Sequence, residues 1–105
     1  MSKYNNRRVT LDGHTFDSVA ERRRYQELCL LRAAGELTGL VTHPRFPLVV
    51  NGVPIATYEA DFGYTETATG RAVVEDVKGV RTDVYRIKCR LMRACYGIEV
   101  KEVAA

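Results

Sequence analysis

Arg71-Ala-Val-Val-Glu-Asp-Val-Lys-Gly-Val80 is the stretch on which the reading of this chain turns. Its β-branched residues and the glycine that closes it read as a strand ending at Gly79. With a side-chain period of two, Val74, Asp76 and Lys78 share one face, and Glu75 and Val77 take the other. Asp76 and Lys78 then stand about 7 Å apart along the strand. A face that begins apolar and turns charged at the strand end is where open α/β sheets carry their sites. A solvated strand face is the plain alternative. Glu75, on the far side, is expected to be solvated or paired with an arginine.

One strand upstream, Tyr58-Glu-Ala-Asp-Phe62 lies within a strand expected from Ile55 to Tyr64. The loose turn Thr67-Ala-Thr-Gly70 joins the two strands, so the Asp61 carboxylate can come alongside that of Asp76. Glu59 shares the Asp61 face and is an alternative ligand. Two adjacent carboxylates repel, and a hard divalent cation such as Mg²⁺ or Mn²⁺ relieves the repulsion through oxygen ligands. A lysine beside such an ion can offset charge building on a phosphate. This is the equipment of metal-dependent phosphodiester hydrolysis.

Further out, Val9-Thr-Leu-Asp-Gly-His-Thr-Phe16 reads as a hairpin about Asp12-Gly13. Ser18-Val-Ala-Glu21 has the form of a capping box and starts a helix running to about Ala34, with Gly35 as its stop. Val19, Tyr25, Leu28 and Leu31 mark its expected buried side. Glu21 lines up with Tyr25 and Leu28, so it points toward the sheet as well as capping the helix. Gly39 to Val50 reads as one strand, at an edge or starting near residue 46 because of Pro44 and Pro47. Asn51-Gly52 is a turn. Thr82 caps a last helix from Asp83 to about Cys95, with Val84, Ile87, Leu91 and Cys95 as its apolar stripe. Ile98 to Val103 is a closing strand. The order is hairpin, α, β, β, β, α, β: one α/β domain over residues 1–105, with 1–8 expected to be a flexible N-terminal arm.

Composition agrees with that size. Of the 105 residues 46% are hydrophobic and 28% charged, enough to form one core and too ordered a mixture for disorder. No apolar run reaches the ~20 residues of a membrane helix, and no secretory signal follows the basic start. Three cysteines without CxxC spacing fit packed, reduced thiols in a cytoplasm rather than a disulfide frame. His14 and His43 are far apart in sequence and from the cysteines, and no metal role is assigned to them. Residues 33–77 hold two basic against six acidic groups, flanked by balances of +3 (1–32) and +4 (78–105). Twelve of the sixteen basic residues are Arg, the side chain suited to bidentate phosphate contacts. An acidic centre ringed by arginine suits a polyanionic partner. Arg7, Arg8, Arg22, Arg24, Arg81, Arg86, Lys88 and Arg90 are the candidate DNA contacts, solvated helix faces being the alternative for several of them.

Asp61 followed fifteen residues later by Asp76-Val77-Lys78 resembles the signature of the PD-(D/E)XK nuclease superfamily. Within it, Val9–Glu21, Tyr58–Phe62 and Val74–Gly79 with Thr82–Tyr85 are similar to small phage-encoded proteins allied to Holliday junction resolvases. The resemblance implies a restriction-endonuclease-like core with a mixed sheet flanked by helices. It implies that Asp61, Asp76 and the Val77 backbone carbonyl hold Mg²⁺, with Mn²⁺ as a substitute, and that Lys78 assists the attacking water. Glu21 stands where resolvases carry a helix glutamate and is a further catalytic or metal residue. Ala60 replaces the proline of the name, at a position that varies. The implied activity is an endodeoxyribonuclease for branched DNA, by direct attack of water with no covalent intermediate. A homodimer making paired cuts in a host cytoplasm is implied with it. The rival readings are the same core acting on flaps, single strands or duplex, and a non-catalytic DNA-binding accessory module.

Overall fold

The structure is a computed structural model and describes residues 9–105; the expected arm over 1–8, with Arg7 and Arg8, lies outside the described residues. The elements run β1 (Val9–Leu11), β2 (His14–Phe16), α1 (Val19–Ala33), β3 (Leu37–Thr42), β4 (Arg45–Val50), β5 (Val53–Glu59), β6 (Phe62–Glu66), β7 (Ala72–Lys78), α2 (Asp83–Tyr96) and β8 (Lys101–Ala104). The main sheet has the order β3-β6-β7-β8. Its β3/β6 and β6/β7 pairs are antiparallel and its β7/β8 pair is parallel, so the sheet is mixed. This is the α/β fold expected from the sequence.

Local chemistry sets the boundaries. Ser18 has an extended backbone, and its Oγ accepts the Glu21 N–H at 3.1 Å, which starts α1. At the other end Gly35 takes φ +79°, and the Glu36 and Gly35 N–H groups bond to the carbonyls of Leu31 and Arg32. That pairing is a Schellman motif. Thr82 starts α2 in the same manner, and Gly97 at φ +66° ends it.

Alternate residues of β7 enter two different cores. Val74 packs with Leu48, Tyr58, Tyr85 and Met92 beneath α2. Val77 packs with Phe16, Tyr25, Leu28 and Phe62 beneath α1. The helices therefore cover opposite faces of the strand that carries Asp76 and Lys78.

Two long strands break where the sequence reading had them continuous. The strand expected over Gly39–Val50 divides at His43-Pro44, and the one over Ile55–Tyr64 divides at Ala60-Asp61. Pro44 lacks an N–H for the ladder and His43 turns to φ +52°, so the hairpin bends there. It does not come apart: His43 N–H bonds to the Asp61 carbonyl at 2.9 Å, and Ala60 N–H to that of Pro44 at 3.0 Å. Beyond the bend β4 and β5 pair, among the described residues, only with each other, forming a two-stranded arm on which α2 packs.

Both helix faces also need correcting. At about 100° per residue, Glu21, Tyr25 and Leu28 form one narrow stripe on α1, with Val19 nearly opposite it and Leu31 on its flank. Accordingly Glu21, Tyr25 and Leu28 are buried, whereas Val19 and Leu31 are exposed. On α2 the buried residues are Tyr85 and Met92, with Cys89 partly covered between them, while Val84 and Ile87 are exposed. That helix carries two apolar stripes about 100° apart. The sheet takes the one whose tyrosine finds a partner in Glu102, at 2.8 Å.

Candidate functional site

The bend in the β3–β6 hairpin positions Asp61. Its backbone N–H bonds to the Glu75 carbonyl at 3.1 Å, and its Oδ2 accepts the Val77 N–H at 2.7 Å. The carboxylate is thus folded back over the end of β7, beside Asp76. Asp76 accepts a hydrogen bond from the Tyr58 hydroxyl, and its Oδ1 lies 3.5 Å from Lys78 Nζ. That ammonium also stands 4.3 Å from the centroid of the Tyr85 ring, a cation–π contact that fixes its direction. From the other side, the first turn of α1 brings in Glu21.

Glu21, Asp61, Asp76, Val77 and Lys78 line one cleft of about 560 Å³, with residues 17–20 of the α1 N-terminus as one wall and Gly79, Val80 and Ala105 as the other. Glu21 is buried, and its Oε2 meets the Ser18 hydroxyl at 3.4 Å, so it serves the helix cap and the cleft together. Glu59 is exposed on the arm and lies outside the cleft.

The electrostatics differ on the two faces of β7. Burial, and then the neighbouring Asp61 carboxylate, push the Asp76 carboxyl up to about 7, against Tyr58 and Lys78, which pull it down. Burial, and then Glu21, raise Asp61 to about 6, against Asp76 and the Val77 N–H. The aspartate pair therefore keeps a proton close to neutrality unless a cation replaces it. Glu75 is also fully buried, but its neighbours overcome the burial: Arg24 donates through Nε and Nη2, each at 2.8 Å, Tyr64 donates its hydroxyl, and Lys101 Nζ lies 4.0 Å away. Its carboxyl stays below the usual range. The arginine pairing expected for Glu75 is present, and the solvation is not.

The expected DNA contacts separate into three groups. Arg86 and Arg90 are exposed on α2, and Lys88 is half-buried there. Arg24 is drawn into the sheet by Glu75, and Arg81 is paired with Glu102 at 2.6 Å. Arg22 is half-buried, with an Nε that has no hydrogen-bond partner among the described residues. The cysteines are free and partly covered, as expected, and burial holds the Cys89 thiol above its ordinary value.

Two residues of the site were missed in the sequence. Tyr58 is a core residue whose hydroxyl also holds Asp76. His43 was set aside, yet its Nε2 faces Glu21 Oε1 at 3.8 Å, and ligand atoms of Glu21, His43 and Asp61 all lie within 4.8 Å of one another. The signal available for it was the His43-Pro44 pair inside a strand, which marks a bend opposite Asp61.

An α/β domain whose sheet ends in a carboxylate-and-lysine cleft is what fold and site define. The chain belongs to a family described as proteins of unknown function, DUF1064, whose model matches residues 1–103. No curated protein and no solved structure matches it.

Proposed function

We propose that this chain is a divalent-metal-dependent endodeoxyribonuclease of the PD-(D/E)XK kind, acting on branched DNA and most specifically as a Holliday junction resolvase. One observation carries the reading: three carboxylates, Glu21 from α1, Asp61 from the bend between β5 and β6 and Asp76 from β7, converge on one cleft with Lys78 beside them. Three carboxylates held this close, two of them buried, with one lysine as countercharge are costly to keep as a purely structural feature.

Asp61, Asp76 and the Val77 carbonyl are the groups to hold Mg²⁺, with Glu21 within reach. The donor set fits a hard ion, because it offers oxygen atoms and a pair of carboxyl groups whose ionisation burial opposes. When bound, the ion supplies a Lewis acid for the phosphate and for water. The remaining chemistry belongs to the chain. Tyr58 and the Val77 N–H orient the two aspartates, Lys78 assists the attacking water and offsets negative charge developing on the phosphate, and Glu21 serves as a further catalytic or metal residue. Arg86, Lys88 and Arg90 on α2 are the DNA contacts this reading retains, by charge rather than by base recognition. Paired cuts in a four-way junction need two such sites, so a homodimer goes with this reading, as does a cytoplasmic location.

The test is cleavage of a labelled immobile four-way junction in Mg²⁺, beside linear duplex, flap and single-stranded DNA of matched length, with Asp76→Asn as the blank. Paired symmetric nicks in the junction alone, absent from the variant, are the expected result. Cutting of the other substrates would discard junction specificity, and no cutting in Mg²⁺ or Mn²⁺ would leave a DNA-binding accessory module.

A further inference from the structure

The Glu21 Oε1 atom is buried and has no hydrogen-bond partner among the described residues, although the residue is only 6% exposed. An unpaired carboxylate oxygen in that position is destabilising, because its desolvation is not offset. An imidazole nitrogen, His43 Nε2, lies 3.8 Å from it. That is too long for a hydrogen bond.

His43 itself is held in an uncommon conformation. Its φ of +52° is left-handed, as are those of Asp12 at +52° and Asn51 at +49°. The other two sit in Asp-Gly and Asn-Gly hairpin turns, where both central residues need positive φ. His43 has no such turn to explain it and precedes Pro44 at the bend. The strain aims a ring toward an unpaired oxygen, beside the Asp61 carboxylate.

We propose that Glu21, His43 and Asp61 form a second cation position in the cleft, one that takes a divalent first-row transition ion through the His43 nitrogen. The proposal rests on the cleft being a metal site and deepens that reading by naming an ion class. Ligands of one such ion lie about 2.0–2.2 Å from it, so two of them stand at most about 4.4 Å apart. The 3.8 Å gap between Glu21 Oε1 and His43 Nε2 satisfies this, and the full set, within 4.8 Å, needs to close by only a few tenths of an ångström. A nitrogen donor in an otherwise carboxylate set favours Mn²⁺ and its heavier neighbours over Mg²⁺. Asp61 would bridge this position to the one it shares with Asp76. His14 does not belong to the set, and its Nδ1 is already engaged by Thr42 Oγ1 at 3.1 Å.

Mn²⁺ is the probe. Bound to the metal-free protein, it should show the ¹⁴N hyperfine coupling of a directly coordinated imidazole in pulsed electron paramagnetic resonance. His43→Asn should abolish that coupling and weaken Mn²⁺ binding at this position by roughly a factor of ten, while changing Mg²⁺ binding by less than about twofold. Asn is chosen because it tolerates positive φ. Glu21→Gln provides a second variant with the backbone cap intact, and it should weaken Mn²⁺ binding similarly while Asp76→Asn keeps the nitrogen coupling. Absence of nitrogen coupling in the unaltered protein, or coupling that survives His43→Asn, overturns the proposal. Junction cleavage without the coupling would remove this cation position and leave the nuclease reading standing. Nitrogen coupling in a protein that cuts no DNA would do the reverse.

Discussion

Replacing Asp76 with Asn should make the metal-free protein more stable at pH 8, although it removes a residue placed at the centre of the site. In the folded chain the Asp76 carboxyl is raised from 3.8 to about 7, by burial first and then by Asp61. Between those two values the folded state binds more protons than the unfolded one, so stability falls as pH rises. The penalty is absent below about pH 4 and complete above about pH 7. Three units at 1.36 kcal/mol each set an upper bound of about 4 kcal/mol. Solvent entering the cleft screens part of it, leaving about 2 kcal/mol as the expected effect. Asn keeps an oxygen for the Tyr58 hydroxyl and discards the charge.

Thermal melts at pH 8 with chelator present should therefore place Asp76→Asn about 10 °C above the unaltered protein, with the gap closing by pH 4–5. Added Mg²⁺ should raise the melting temperature of the unaltered protein, because a ligand bound only by the folded state stabilises it, and should leave the variant unmoved. A variant less stable than the parent by the same margin at both pH values would refute the reasoning. Asp76 would then be a structural partner of Lys78 and Tyr58 rather than a charge awaiting a cation.

Arg24→Met should destabilise the fold by roughly 3–5 kcal/mol in urea unfolding, because it strands the buried Glu75 carboxylate, and the double variant Arg24→Met with Glu75→Gln should recover much of that loss. Tyr58→Phe removes one hydrogen bond from Asp76, so the acid limb of the cleavage pH profile should move upward while circular dichroism stays unchanged. Lys78→Ala should abolish cutting by at least about a hundredfold yet leave junction binding in a gel-shift assay largely intact. Gly63→Ala places a methyl 3.3 Å from both Pro44 Cγ and Val41 Cγ2 at the hairpin bend, and should cost about 1 kcal/mol and reduce cleavage through Asp61.

The parts of the fold that were legible in the sequence are those decided by local chemistry. Ser18, Gly35, Thr82 and Gly97 bound the helices where side-chain caps and positive φ dictate, and β7 and the two Gly-containing hairpin turns follow the same logic. What was not legible depends on tertiary choice. Each helix offers more than one apolar stripe, and only the sheet decides that Tyr85 and Met92 turn inward in place of Val84 and Ile87. The bend at His43-Pro44 pairs with the bend at Ala60-Asp61 across the hairpin, a coincidence of register that reading each strand alone does not reveal. His43 escaped notice for that reason: its nearest chemical neighbours are 22 residues before it and 18 after it in the chain.

Glu75 and Asp76 show how differently two buried carboxylates on one strand can be compensated. They are consecutive on β7, at 0% and 3% exposure, and burial opposes the ionisation of both. Around Glu75 the chain has assembled two donor groups of Arg24, the Tyr64 hydroxyl and the Lys101 ammonium, enough to hold the charge permanently. Around Asp76 it has placed one tyrosine, one lysine at 3.5 Å and a second carboxylate, a set that leaves the charge undercompensated. A fold under no other demand would be expected to lose an aspartate so placed, since an apolar or amide side chain there removes the penalty. Keeping it, with Asp61 turned toward it by the Val77 N–H and Glu21 closing the cleft, makes sense if a cation supplies the missing positive charge. The same comparison applied to Glu21, whose Oε1 has no partner where Glu75 has several, extends the deficit to the far side of the cleft. Among the described residues the shortage of positive charge is thus confined to one end of the sheet, the pattern that the proposed cation site requires and a generally strained core would not give.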